Sequence, residues 1–262
     1  MRQVLFVGAG HSFPEGAFHF LYQMQLQERV HVRGLFFQPY DYTGTTALWP
    51  SGEHSRVVQS EAREKTMIEE QKATLARNCE QHYILYDIHE NDREWDRTLF
   101  ARESRFADLV LISAERFYSD QESDQPNAYL RDALHAAECP VVIVPDTFEK
   151  VRHLFMAYDG SRESLFAIKQ FCYLFPQMTD LPTEIVYSKD EETSVMPEEA
   201  PLKRFTQTKF DCMSFTKLHF DPYTFFSTWI GDKKNVMLAS GSFGRSSMSY
   251  VARRSFAEDV VH

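Results

Sequence analysis

The sequence is short of basic residues, short of cysteine, and has no long apolar run. Its 28 Lys and Arg stand against 38 Asp and Glu, a formal net charge of −10. Nucleic acid or an anionic membrane surface requires clustered cations to displace counterions. A broad surface of that kind is therefore excluded, although a local basic pocket is not. The four cysteines, Cys79, Cys139, Cys172 and Cys212, are far apart and form no CxxC pair. Reduced and mostly buried thiols fit this spacing better than zinc ligands or a disulfide framework. The first apolar run, Val4 to Val7, is broken at once by Gly8 and Gly10. It is too short to span a membrane and no export signal accompanies it. These absences point to the cytoplasm. The ten histidines include no HExxH and no cluster with Cys at metal spacing, and no GxSxG elbow is present. No metal site and no catalytic residue is therefore assigned.

What is present is a composition that buries a core. The chain has 262 residues, 43% hydrophobic and 25% charged, enough for one large domain or two ordinary ones of roughly 100–150 residues. Val4 to Val7 reads as a strand, followed by a turn and by Ser12-Phe-Pro-Glu15, a capping-box start for a helix with Phe18, Leu21, Tyr22 and Leu26 on one face. Val30 to Phe37 is the next strand and 39–52 a loop. A long helix is expected over Val57 to Cys79, with Val58, Met67, Ile68 and Leu75 in its buried stripe, and a strand over Tyr83 to Ile88. Helix-like Trp95 to Phe106, apolar Leu109 to Ile112, a helix over Asn127 to Ala137 that Asn127 can cap, and Val141 to Val144 complete the series. Strands apolar on both faces, alternating with helices, imply a mainly parallel sheet covered on each side.

The pattern then begins again. Leu154 to Tyr158 repeats the strand, Asp159-Gly-Ser161 the turn and Leu165 to Phe175 the helix. Glu184 to Tyr187, Pro197 to Phe210, Phe215 to Phe220 and Val236 to Ala239 follow as strand, helix, strand and strand. The segment ending at Ser113 corresponds to the one ending at Ser240, and Gly10 stands where the second copy has Asp159. With a linker near 146–152, the expected domains are 1–148 and 149–262. The second copy reaches His262 before any counterpart of Val141 to Val144, so its sheet is expected to lack a last strand.

The chemistry is concentrated in the second copy. Ser240-Gly-Ser-Phe-Gly-Arg-Ser246 follows a buried strand, and glycines there let backbone N–H groups approach a ligand, a phosphate above all. In an open α/β sheet a ligand is expected beyond the carboxyl ends of the strands, beside Asp159. Two structural readings compete with this one. Asp159-Gly-Ser161 is also an ordinary strand-to-helix turn, and Ser255-Phe-Ala-Glu258 also a capping box. The acidic stretches 120–124 and 189–192 read as exposed loops, and Phe205, Phe210, Phe215, Phe220, Phe225 and Phe226 as core or interface.

Met156-Ala-Tyr-Asp-Gly-Ser161 resembles the strand-end Asp-Gly-Ser of universal stress proteins, and the later segment resembles their phosphate motif. That motif, Gly, two residues, Gly, nine residues, then Gly and Ser or Thr, falls here on Gly241, Gly244, Arg254 and Ser255. The resemblance implies two tandem adenine-nucleotide α-hydrolase-like α/β domains, parallel sheets flanked by helices, the first degenerate. It implies a stress-response regulator that binds an adenine nucleotide, ATP with Mg²⁺, in the second domain without committed catalysis. The implied nucleotide residues are Tyr158, Asp159, Gly241, Gly244, Arg245, Ser246, Arg254 and Ser255. Arg254 replaces the third glycine, which adds bulk where close approach is wanted and also a cation that can pair with phosphate. The implied assembly is an intramolecular pseudo-dimer, with homodimer formation and an unidentified protein partner left open. The alternative is a nucleotide-independent interaction module whose sites have decayed; a nucleotide-hydrolysing enzyme would need a base and an intact phosphate loop that are seen only in fragments.

Overall fold

The computed structural model of the chain describes residues 1–9, 12–37, 54–90, 95–113, 128–188, 195–219, 229 and 233–241. Described residues up to Phe148 form one compact unit and those from Glu149 a second.

In the first unit, strand β1 (Arg2–Ala9) is central because it is apolar on both faces: Val4, Leu5, Phe6 and Val7 are all buried. Helix α1 (Glu15–Gln27), strand β2 (Val30–Phe37), helix α2 (His54–Gln81) and strand β3 (Leu85–Ile88) follow. Helix α3 (Arg97–Ser104), strand β4 (Leu109–Ser113), helix α4 (Ala128–Ala136) and strand β5 (Val141–Val144) complete the unit. The strand order is β3-β2-β1-β4-β5, with every pairing parallel. Successive side chains of a strand face opposite ways. Leu5, Val7, Leu35, Phe37, Val110 and Ile112 therefore share one face, packed with Phe100 of α3 and with Leu130 and Ala133 of α4. Phe6 points to the other face, where its ring stacks on Phe13 at 5.7 Å and meets Phe36 at 6.5 Å. In α2 the buried residues Ile68, Gln71, Leu75 and Cys79 recur every three or four positions, the period of one helical face.

Some local expectations are corrected by the structure. The Ser12 and Glu15 capping box does not form: Pro14 is the N-cap of α1 and no side chain caps it. Leu26 is exposed, and the buried side of α1 is made instead by Ala17, Phe18, Phe20, Leu21 and Met24. Tyr83 takes a left-handed φ of 54°, so β3 starts at Leu85. Helix α3 is shorter than its sequence pattern because Asp96 caps it, accepting from Thr98 N at 2.8 Å and Leu99 N at 3.0 Å. The loop 39–52, Val58 as a side chain and the capping role of Asn127 lie outside the described residues.

The second unit runs β6 (His153–Ala157), α5 (Arg162–Leu174), a 3₁₀ turn at Pro176–Met178, β7 (Thr183–Ser188), α6 (Glu199–Thr206), β8 (Met213–Leu218) and β9 (Val236–Ala239). Its order, β8-β7-β6-β9, is that of β3-β2-β1-β4, and all pairings are again parallel. Phe155 and Val186 are buried on one face, with Leu218, Trp229, Val236 and Leu238 around them. Ile168, Phe171, Cys172 and Leu174 form the buried side of α5. Among the described residues the second sheet has four strands, and 242–262 lie outside them. No described helix is long and apolar enough to cross a membrane. Of the expected aromatic core residues, Phe210 is buried against Phe171, their ring centroids 6.4 Å apart, while Phe220, Phe225 and Phe226 lie outside the described residues.

Candidate functional site

From β6 the chain passes through α5 to β7 and on to β8 on one side, then returns to β9 on the other side of β6. The direction of the strand order therefore reverses between β6 and β9, and the carboxyl ends of those two strands frame the crevice where an open α/β sheet takes its ligand.

Three of the residues picked from the sequence are placed here. Tyr158 follows β6, its N–H donating to Val186 O at 2.9 Å, which carries the sheet pairing one residue past the strand. Its ring is buried, and its hydroxyl donates to Pro197 O at 3.2 Å. Desolvation, then the negative charges of Glu198 and Asp159, push the Tyr158 phenol above its ordinary value.

Asp159 is exposed, and its Oδ1 accepts the Ser161 N–H at 2.9 Å, an Asx turn. Partial desolvation pushes the carboxyl up, but hydrogen bonds from Ser161 and Ser164 outweigh it and hold the group below its ordinary value. Asp159 is thus a carboxylate kept ionised at the mouth of the crevice, an acceptor for hydroxyl or amine donors. Ser161 is the N-cap of α5, its Oγ accepting from Ser164 N at 3.1 Å. Ser164 Oγ in turn donates to Ser161 O at 2.9 Å.

Gly241 is buried two residues past β9. A Cβ built on it would stand 2.8 Å from Ser164 N and 2.9 Å from the Glu163 carbonyl carbon. Only glycine lets this segment lie on the first turn of α5. The ends of β6 and β9 therefore meet at Ser164, to whose Oγ the Asp159 N–H points at 3.5 Å. The sequence reading gave Gly241 a ligand-based reason; the structure adds a packing one. Gly244, Arg245, Ser246, Arg254 and Ser255 lie outside the described residues.

The described rim carries the acidic residues Asp159, Glu163 and Glu198, and Arg162 is paired with Glu163 at 2.6 Å. Two features here were missed in the sequence. Ser164 had a local signal, a serine three residues after the cap. The Pro197–Glu198 corner had none, since it reaches the turn only through the fold.

The sequence matches no family model and no curated protein. Solved structures do match. The crystal structure of a universal stress protein from Archaeoglobus fulgidus DSM 4304 is similar with a TM-score of 0.65 at 12% identity, over 98% of this chain and 96% of that one. The fold is that of the universal stress proteins. Universal stress protein UspA from Lactobacillus plantarum aligns over 55% of this chain and 99% of its own, at a TM-score of 0.38 and 10% identity. A universal stress protein-like fold accounts for both parallel sheets and their flanking helices. In the second unit Asp159 and Gly241 both reach the first turn of α5 at Ser164, and Tyr158 directly precedes Asp159.

Proposed function

We propose that this chain is a cytoplasmic, stress-associated regulatory protein whose second unit binds an adenine nucleotide, ATP with Mg²⁺, without a committed catalytic step. The observation that carries this reading is the meeting of Asp159 and Gly241 at the first turn of α5, on the switch point of the second sheet. Asp159, an exposed and ionised acceptor, suits the hydroxyl and amine donors of a nucleoside. Gly241, Gly244, Arg245, Ser246, Arg254 and Ser255 are assigned to the phosphate side. The acidic rim of Asp159, Glu163 and Glu198 disfavours a bare polyphosphate, which is why the ligand is proposed as its Mg²⁺ complex. The chain is proposed to engage a protein partner.

One observation favours a second reading. The turn at Asp159 and the glycine at 241 each have a complete packing reason of their own, so neither requires a ligand. On that reading the chain is a nucleotide-independent interaction module.

Calorimetric titration with ATP and Mg²⁺ separates the two. Saturable binding near one site per chain, weakened by Asp159→Ala and without product release, is expected. Absence of heat at millimolar ATP, matched by an unmoved thermal midpoint, leaves the interaction module.

A further inference from the structure

The corner at Pro197 and Glu198 is held against its local preference. Glu198 has φ 48° and ψ 34°, a left-handed conformation unusual for a residue with a side chain, and it is the N-cap of α6 without any side-chain cap bond. Such a conformation persists only where its surroundings over-determine it. Two contacts do so. The buried Tyr158 hydroxyl donates to Pro197 O at 3.2 Å, and the Pro197 ring fills the space beside Gly160, where a Cβ would lie 2.7 Å from Pro197 Cβ and 2.8 Å from its Cγ. Gly160 itself has φ +87°. Asp159 lies between the residue that makes the first contact and the residue that receives the second. The first copy has Ala9 and Gly10 at the positions of Tyr158 and Asp159, so hydroxyl and carboxylate are gained or missing together.

We infer that Tyr158 is a positioning residue: through Pro197 it clasps the start of α6 onto the Asp159-Gly160 turn, and this clasp sets the carboxylate of Asp159 toward its ligand. The inference rests on the nucleotide reading above for its ligand, but not for the clasp itself. Tyr158 acts through Pro197 and need not touch the nucleotide.

The test uses the full chain with ATP and Mg²⁺ as the probe, and amide hydrogen exchange across 196–202 as a second readout. Tyr158→Phe keeps the ring and removes one hydrogen bond. It is expected to melt within about 4 °C of the parent, to bind about 3- to 10-fold more weakly, and to exchange faster at the Leu202 amide, which donates to Glu198 O. Adding Glu198→Gly, which adopts the left-handed corner without strain, is expected to restore at least part of the affinity. Unchanged affinity and unchanged exchange in Tyr158→Phe overturn the clasp, as does a double variant no tighter than the single one. If the parent binds no ATP, the nucleotide reading fails by itself, and the exchange data alone decide whether the clasp exists.

Discussion

Gly241 and Ser164 are in backbone contact: a Cβ at 241 would stand 2.8 Å from the Ser164 amide nitrogen. The obstacle is helix backbone, which cannot rotate aside as a side chain can. Gly241→Ala is therefore expected to push the end of β9 off α5, at a cost of about 1–3 kcal/mol for an overpacked site. Urea denaturation should show a lower midpoint with an unchanged slope. Stability equal to the parent would mean that β9 and α5 lie further apart than the structure has them.

The Gly160 and Pro197 contact gives a coupled prediction. Gly160→Ala has to bear both a left-handed φ and a clash with the Pro197 ring, roughly 1–2 kcal/mol for the backbone alone. Pro197→Gly removes both ring carbons that make the clash, Cβ and Cγ, but not the backbone cost. In a double-mutant cycle the two changes should couple by about 0.5 kcal/mol or more, with the double variant more stable than the sum of the singles. Strict additivity would separate Gly160 from Pro197.

Asp159 contributes a pH dependence of defined sign. Its carboxyl is held below the ordinary value in the folded chain, so the unfolded chain takes up the proton first as the pH falls. The stabilisation is present above the unfolded value and is lost as the pH falls through the folded one. Asp159→Asn lacks it throughout. The difference in stability between parent and variant should therefore be steady at neutral pH and shrink through the acidic range. A gap that widens on acidification would reverse the assigned direction.

The α/β class and most strand positions were legible because parallel strands buried on both faces are written as short apolar runs, such as Val4 to Val7 and Leu109 to Ile112. The strand order was not read from the sequence, because it depends on which crossovers the helices make; the structure shows β6 to β9 in the order of β1 to β4. Helix starts were less legible. Ser12 with Glu15 has the local spelling of a capping box, yet the chain enters α1 at Pro14, where Gly16 packs closely against Pro145 O. Tertiary contact there overrides a preference worth about 1 kcal/mol. At the site, Asp159 and Gly241 were readable because each lies at a strand end. The Pro197–Glu198 corner was not, because 36 residues separate it from Ser161 and only the pairing of β6 with β7 brings it to the turn.

The cysteines allow a test of the fold as a whole. The thiols of Cys79 and Cys139 are pushed up to about 12, chiefly by burial and secondarily by Glu80 and Asp108. Burial also raises that of Cys172, whereas Cys212 is exposed. At pH 8 a thiol at such a value is ionised to only about one part in ten thousand, against roughly a quarter for an ordinary one. Thiolate is the reactive form. A disulfide reagent should therefore titrate one thiol of the native chain quickly, with the other three following at the rate of opening. Cys212→Ser should abolish the fast phase and leave the slow one intact. A second fast thiol would locate an opening in the first unit if it is Cys79 or Cys139, and in α5 if it is Cys172.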